Sequence, residues 1–292
     1  KMTSKNINKI FFKYSKNFII LFFFIILAII GYTLHADYGI SLDEESSRFH
    51  GIVSLNYICE YFFPNLKFGF QINNFIPKLN EYEYREYGIF FEILLIVIIE
   101  IILEVKNFSE IFYVRHFANH LLFIISVICF YFLCFNIFKN KLYSFFGSAI
   151  LYSSPRIFAE SFYNDKDLVF LSFFIFLIFF SIKFLKKPEY YNAFLLACFS
   201  AIATNVRVIG IYVVVLVAFF LIIQILMKSK FDTKKINSLI TFLFFNFAFL
   251  YILWPFLWES PLDNILYALK NFSKYPWGGH VFYLGNFYKA EF

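Results

Sequence analysis

The sequence predicts an all-α fold, a polytopic transmembrane helix bundle of about seven spans. Three observations predict it. Hydrophobic residues fill 61% of the 292 positions, and the mean hydropathy is +0.68; a soluble core of this size does not need so much apolar surface. The apolar residues fall in separate runs near the length that crosses a bilayer, about 20 residues each. The lysines gather at the ends of alternate runs, as membrane-anchoring charges do.

Composition also excludes some function classes. The net charge is +6, but nucleic acid is not the partner it implies, because the cations anchor spans rather than form a patch. Phe supplies 48 positions. Phe, Ile, Lys, Asn and Tyr share A/T-rich codons, so genome composition contributes to that count. There are four cysteines, Cys59, Cys129, Cys134 and Cys198; three of them lie inside apolar runs, and no pair has metal-ligand spacing.

The first span is expected over 17–35. Lys5, Lys9, Lys13 and Lys16 precede it, as in a signal peptide. But Phe18 to Tyr32 is bulky, and Thr33-Leu34-His35-Ala36 lacks a small-x-small cleavage site, so the span is read as retained. A loop over 36–117 follows. Within it, 89–105 is apolar but carries Glu92, Glu100 and Glu104; three acids favour a helix in the interface, or packed on the bundle, over a crossing. The next spans are 118–138, 142–160, 168–185, 191–207, 209–227 and 236–256. Ser148, Ser153 and Ser154 dilute the third of these seven, and Pro155 breaks it. Asn205-Val206-Arg207 divides the fifth from the sixth.

Charge tests this order. The segments 1–16, 138–141, 183–190 and 228–235 hold the first five lysines, then Lys139 and Lys141, then Lys183, Lys186 and Lys187, then Lys228, Lys230, Lys234 and Lys235. Their only acids are Glu189 and Asp232. The alternate loops 36–117, 153–167 and 257–292 carry most of the acids. The positive-inside rule then places the N-terminus in the cytoplasm. Residues 1–292 form one domain, without internal repeat or soluble module. The ending, Phe287 to Phe292, reads as mid-pattern, so a longer chain is expected.

Chemistry can sit in the acid-bearing loops. Asp43-Glu44 lies within about ten residues of the first span, where a carboxylate can act as general base or metal ligand. The same acids also suit a helix N-terminus. The second loop reads Ser154-Pro155-Arg156-Ile157-Phe158-Ala159-Glu160-Ser161-Phe162-Tyr163-Asn164-Asp165-Lys166-Asp167. It is either a charged site or a polar turn capped by Asp167. Glu92, on an apolar helix, needs a partner or water. Arg115-His116 and Arg207 suit phosphate recognition, or snorkel at the interface. His116 and His120 do not form a zinc-protease motif, and no phosphate-binding Gly loop occurs. Asn107-Phe108-Ser109 and Asn271-Phe272-Ser273 match the glycan acceptor pattern. Trp254-Pro255-Phe256-Leu257-Trp258 and Tyr275-Pro276-Trp277-Gly278 mark an interface belt, or stack on sugars.

Together these residues resemble the GT-C lipid-dependent glycosyltransferases, nearest to the protein O-mannosyltransferase and aminoarabinose transferase group. The Ser154–Asp167 stretch carries the resemblance most specifically. Asp43-Glu44, Tyr87-Gly88 with Glu92, Arg115-His116, Arg207 and Trp254-Pro255 fall where that group has its landmarks. The resemblance implies a polyprenyl-phosphate sugar donor drawn from the membrane lipid, and an acceptor that is protein, lipid or glycan. It implies Asp43 as general base, with Glu44 beside it and Asp167, or Asp165, as the second acid. It implies Arg115, Arg207 or Lys166 against the phosphate, with His116, Arg156, Asp165 and Glu92 among the substrate contacts. A divalent cation is used by some members of the group and not by others. The implied location is a bacterial inner membrane, with the chemistry on the periplasmic side. A multi-span transporter or a non-catalytic membrane protein is the alternative; a transporter would want polar or broken helices at mid-membrane.

Overall fold

The computed structural model describes residues 4–65, 69–70, 75–227, 232–274 and 279–289, with the backbone alone for 4–17. Lys228, Lys230, Tyr275 to Gly278 and Ala290 to Phe292 lie outside the described residues, as do the side chains of Lys5, Lys9, Lys13 and Lys16.

The described chain is helical apart from one exposed hairpin, β1 (His280–Tyr283) with β2 (Asn286–Lys289). After α1 (Ser4–Leu34) the long first loop folds into α2 (Leu42–Phe62) and α3 (Phe90–Ile96), which runs on as a π turn over Val97–Ile102. The bundle continues with α4 (Phe108–Phe138), α5 (Lys141–Ser153), α6 (Pro155–Tyr163) and α7 (Asp167–Lys186). Then come α8 (Tyr190–Val206), α9 (Ile211–Leu226), α10 (Thr233–Leu253) and α11 (Pro261–Ser273).

Two boundaries differ from expectation. The span expected over 142–160 is divided between α5 and α6. Pro155 has no N–H to continue α5, and it opens α6 at the first helical position after an extended Ser154. At 13 residues α5 alone is about 20 Å long, and α6 completes the passage back to the end where α4 starts, with Phe162 against Asn119. Among the described residues, four helices are long and apolar enough to cross, at Phe108–Phe138, Asp167–Lys186, Val208–Leu226 and Thr233–Leu253. Phe18–Leu34 and Tyr190–Val206 are shorter apolar helices. Six continuous apolar helices and the broken α5–α6 pair therefore stand, among the described residues, where seven spans are expected. The second difference is α4, which starts ten residues before the expected 118. The Asn107 side chain accepts from the Ser109 and Glu110 amides at 3.0 and 3.3 Å, so part of the glycan acceptor pattern serves as an N-cap.

Small residues let the helices approach closely. α8 turns Ala193, Ala197, Ser200 and Ala201 inward, and Asn246 of α10 donates to Ser200 Oγ at 2.5 Å. The main core joins α3, α4, α7, α8, α9 and α10 around Phe91, Phe173, Leu177, Phe184, Leu196 and Phe242. The outward faces of α1, α9 and α10 expose Phe22, Phe219, Phe220 and Phe244, which suits a lipid solvent.

Candidate active site

Four helix ends meet at one end of the bundle: the starts of α4 and α7 and the ends of α8 and α10. Asn205 ties them to the first loop. Its Oδ1 accepts from the Phe90 amide at 2.9 Å and its Nδ2 donates to the Leu253 carbonyl at 3.1 Å. Gly88 passes so close that an added Cβ would lie 1.6 Å from the Asn205 carbonyl oxygen. Only glycine fits that crossing.

α2 lies over this end. The Ser41 amide donates to Glu44 Oε2 at 2.7 Å, one half of a capping box. Glu44 Oε1 sits 2.8 Å from His116 Nε2, with both side chains fully buried. The other ring nitrogen, Nδ1, lies 3.1 Å from the His35 carbonyl and donates to it. The Nε2···Oε1 contact pins the start of α2 to α4.

One turn along α2, Ser47 Oγ donates to Asp165 Oδ1 at 3.2 Å. Asp165 is buried on the α6–α7 connection, and its Oδ2 also accepts from Arg115 Nη2 at 3.4 Å. The same nitrogen donates to Glu92 Oε2 at 2.5 Å, so the wholly buried Arg115 joins α3 to the second loop. Burial first, then the Glu92 carboxylate, pushes the Asp165 carboxyl well above its usual range; Arg115 and Lys166 oppose that. Arg48 and Glu100 form a second buried pair, with Nε to Oε1 at 2.8 Å and Nη2 to Oε2 at 2.5 Å, a bidentate fork between α2 and the π turn.

A narrow cleft of about 30 Å³ opens beside this network, lined by Ser47, His50, Tyr87, Glu92, Asp165, Lys166 and Arg207 among others. A groove of about 430 Å³ adjoins it, sharing Tyr87, Gly88, Val206 and Arg207 and adding Val208, Ile209 and Phe272. Two cations reach the cleft. Lys166, a quarter exposed, stands 3.8 Å from Asp43 Oδ1 and 5.7 Å from the Tyr87 ring centroid. Arg207 pairs with Asp167. Asp43 is 76% exposed at the rim. His50 is walled in by Tyr82, Tyr84 and Tyr87, with ring centroids 5.3 to 5.7 Å away. Burial, and then Lys166, lower its pKa to about 3, so the cleft wall there is neutral.

The structure brings Glu44, Glu92, Arg115, His116, Asp165 and Lys166 into one cluster, with Asp43 and the Arg207–Asp167 pair at its rim. Arg156 stands apart, 86% exposed and paired with Glu160 at 2.7 Å. The α7 start is capped by Asn164 rather than Asp167: Asn164 Oδ1 accepts from the Asp167 amide at 2.7 Å. Sequence reasoning passes over Ser47, Arg48 and His50, and reads Glu100 only as an obstacle to crossing. The available signal was a lone Arg and a lone acid in apolar surroundings, each needing a partner.

A divalent cation does not fit this donor set. Among the described residues no three His, Cys, Asp or Glu side chains group as a metal site. The acids are engaged otherwise: Glu44 with His116, Glu92 and Asp165 with Arg115, Asp43 with Lys166 and Asp167 with Arg207.

A helical bundle with several membrane-length apolar helices, and a charged cluster and a cleft at one end, defines the class, an integral membrane protein. Residues 93–254, more than half of the chain, match the dolichyl-phosphate-mannose-protein mannosyltransferase family, and the chain belongs to that family. Membership implies a glycosyltransferase whose donor sugar is carried on a polyprenyl phosphate. The match begins within α3, so Asp43 and Glu44 lie before it. No curated protein and no solved structure matches the chain.

Proposed function

We propose that this chain moves a sugar from a polyprenyl-phosphate carrier to an acceptor nucleophile at the cleft beneath α2. The observation that carries the reading is the pair of part-exposed cations, Lys166 and Arg207, on one cleft, with the Asp43 carboxylate 3.8 Å from Lys166. The donor is a phosphodiester with one negative charge. When the acceptor oxygen bonds to the anomeric carbon, the bond from that carbon to the phosphate oxygen breaks. Its electron pair leaves with the phosphate, which gains a second charge. Fixed cations in a partly dry cleft stabilise that developing charge. The adjoining groove, with Val208, Ile209 and Phe272, suits the first isoprene units of the carrier.

Asp43 takes the acceptor proton. It is exposed at the rim, where an acceptor arriving from water meets it, and its contact with Lys166 sets it close to the leaving phosphate. A single displacement of this kind inverts the anomeric centre. Arg115, Glu92, Asp165, Glu44 and His116 hold the floor of the cleft rather than react, since each is buried and engaged by its neighbours.

The cleft faces away from the cytoplasm in this reading, and the membrane is a bacterial inner membrane. Support comes from the opposite bundle end, where Lys139, Lys141, Lys183, Lys186, Lys187, Lys234 and Lys235 outnumber Glu189 and Asp232.

The test is transfer from a panel of radiolabelled polyprenyl-phosphate sugars in membranes containing the full-length protein. Wild type forms product, and Asp43→Asn loses about 10²–10⁴-fold in rate. Full activity in Asp43→Asn would remove that residue as the base. No transfer from any donor by folded wild type would remove the whole reading.

A further inference from the structure

Asp167 is the acid a sequence reading takes for a catalytic group, yet it lines neither the cleft nor the groove. Its carboxylate instead engages Arg207, which lines both. The pair is in contact with water: the Arg207 side chain is 38% exposed and Asp167 61%. Such a pair opens at small cost. Asn164 takes the amide at the start of α7, so the Asp167 carboxylate is not needed as the cap; besides Arg207 it lies within electrostatic reach of the exposed Arg156.

We propose that Asp167 is a positioning residue that governs release of the spent carrier, by competing with its phosphate for Arg207. The inference rests on the reading that Arg207 meets the carrier phosphate. The donor phosphodiester carries one negative charge and the product phosphomonoester up to two. A cation that stabilises the leaving group therefore holds the product harder than it held the substrate, and release becomes slow. An anion fixed on the neighbouring helix offsets this. When the donor binds, Arg207 exchanges the Asp167 carboxylate for the phosphate. When the reaction is done, Asp167 takes the guanidinium back and the lipid phosphate departs. α7 and α8 are packed neighbours in the bundle, with Asp167 at the start of one and Arg207 just past the end of the other. Lys166 has the same arrangement with Asp43, but there the anion is the proposed base and has a chemical role of its own.

The experiment compares full-length wild type, Asp167→Asn, Asp167→Glu and Arg207→Ala in membranes, with free polyprenyl phosphate as the probe. Its inhibition constant, its stabilisation of the protein against heat and the single-turnover transfer rate are measured. For Asp167→Asn the expectation is about two- to fivefold tighter binding of polyprenyl phosphate. Its steady-state kcat falls while its single-turnover rate holds, so product appears as a burst. Asp167→Glu restores the wild-type values. A single-turnover rate that falls with kcat, with affinity for polyprenyl phosphate unchanged, overturns the inference and gives Asp167 a part in the chemical step or the fold. Arg207→Ala separates the two levels. If it leaves polyprenyl-phosphate binding unaltered, Arg207 does not meet the phosphate and the underlying reading fails. If it weakens binding while Asp167→Asn does not strengthen it, only the release role fails.

Discussion

His50 shows how one side chain reports on the cleft. It is enclosed by three tyrosine rings and faces Lys166, and both burial and that cation oppose its protonation. In the unfolded chain it takes a proton near pH 6.5, in the folded chain only near 3. The folded value is depressed, so its stabilising contribution is fully present above about pH 6.5 and is lost as pH falls toward 3. Thermal unfolding of wild type and His50→Gln in detergent across that range checks this. The wild-type advantage is expected to be constant above pH 7 and to shrink steadily below it; an advantage that does not change with pH would mean that His50 is not held neutral. The sequence offered no route to this residue, because its tyrosine neighbours are more than thirty positions away along the chain. Asp43 and Glu44 are the complementary case. They were legible as a pair, but successive helical residues point about 100° apart. One therefore reaches the rim at 76% exposure while the other is wholly buried against His116. Adjacency in sequence suggested a shared role that helix geometry divides.

At the scale of elements, the join between α2 and the π turn is the least expected feature and the most consequential for the cleft. Arg48 and Glu100 are about 5% exposed and bind through two parallel contacts. Removing Arg48 leaves the Glu100 charge buried and uncompensated, which costs about 3–5 kcal/mol. Replacing both by apolar residues of similar size removes that penalty. Arg48→Met is therefore expected to lower thermal stability and transfer activity together, and Arg48→Met with Glu100→Met to recover much of the stability. Equal losses in single and double variants would show that the pair does not clamp α2. The acids Glu92 and Glu100 were readable as signs that 89–105 does not cross the membrane. Their partners were not readable, since Arg115 and Arg48 flank them from different directions in sequence and meet them only when α2, α3 and α4 pack. Helix ends divided in the same way. Pro155 announced a break from its missing N–H, whereas the early start of α4 depended on Asn107 acting as a cap inside what read as a loop.

For the whole molecule, the order of spans was legible because hydropathy and charge act over long windows, and each alternate connection repeats the same bias. The cleft was not, because it is assembled from the ends of α4, α7, α8 and α10 together with a loop that only Gly88 allows to pass. The same architecture separates two functions of charge. At the site end the acids and cations pair with one another inside the protein. At the other end lysines dominate, with few acids to neutralise them. This asymmetry predicts a fixed sidedness, which membrane-impermeant maleimide can read in intact cells after the native cysteines are replaced. Ser273→Cys, exposed near the end of α11 on the site side, is expected to react directly. Lys187→Cys, exposed between α7 and α8, is expected to react only after permeabilisation. The reverse pattern would place the cleft in the cytoplasm and make the acceptor a cytoplasmic one. Reaction of both from one side would mean that the α7–α8 connection and the site end share a face, which an odd number of crossings between them forbids.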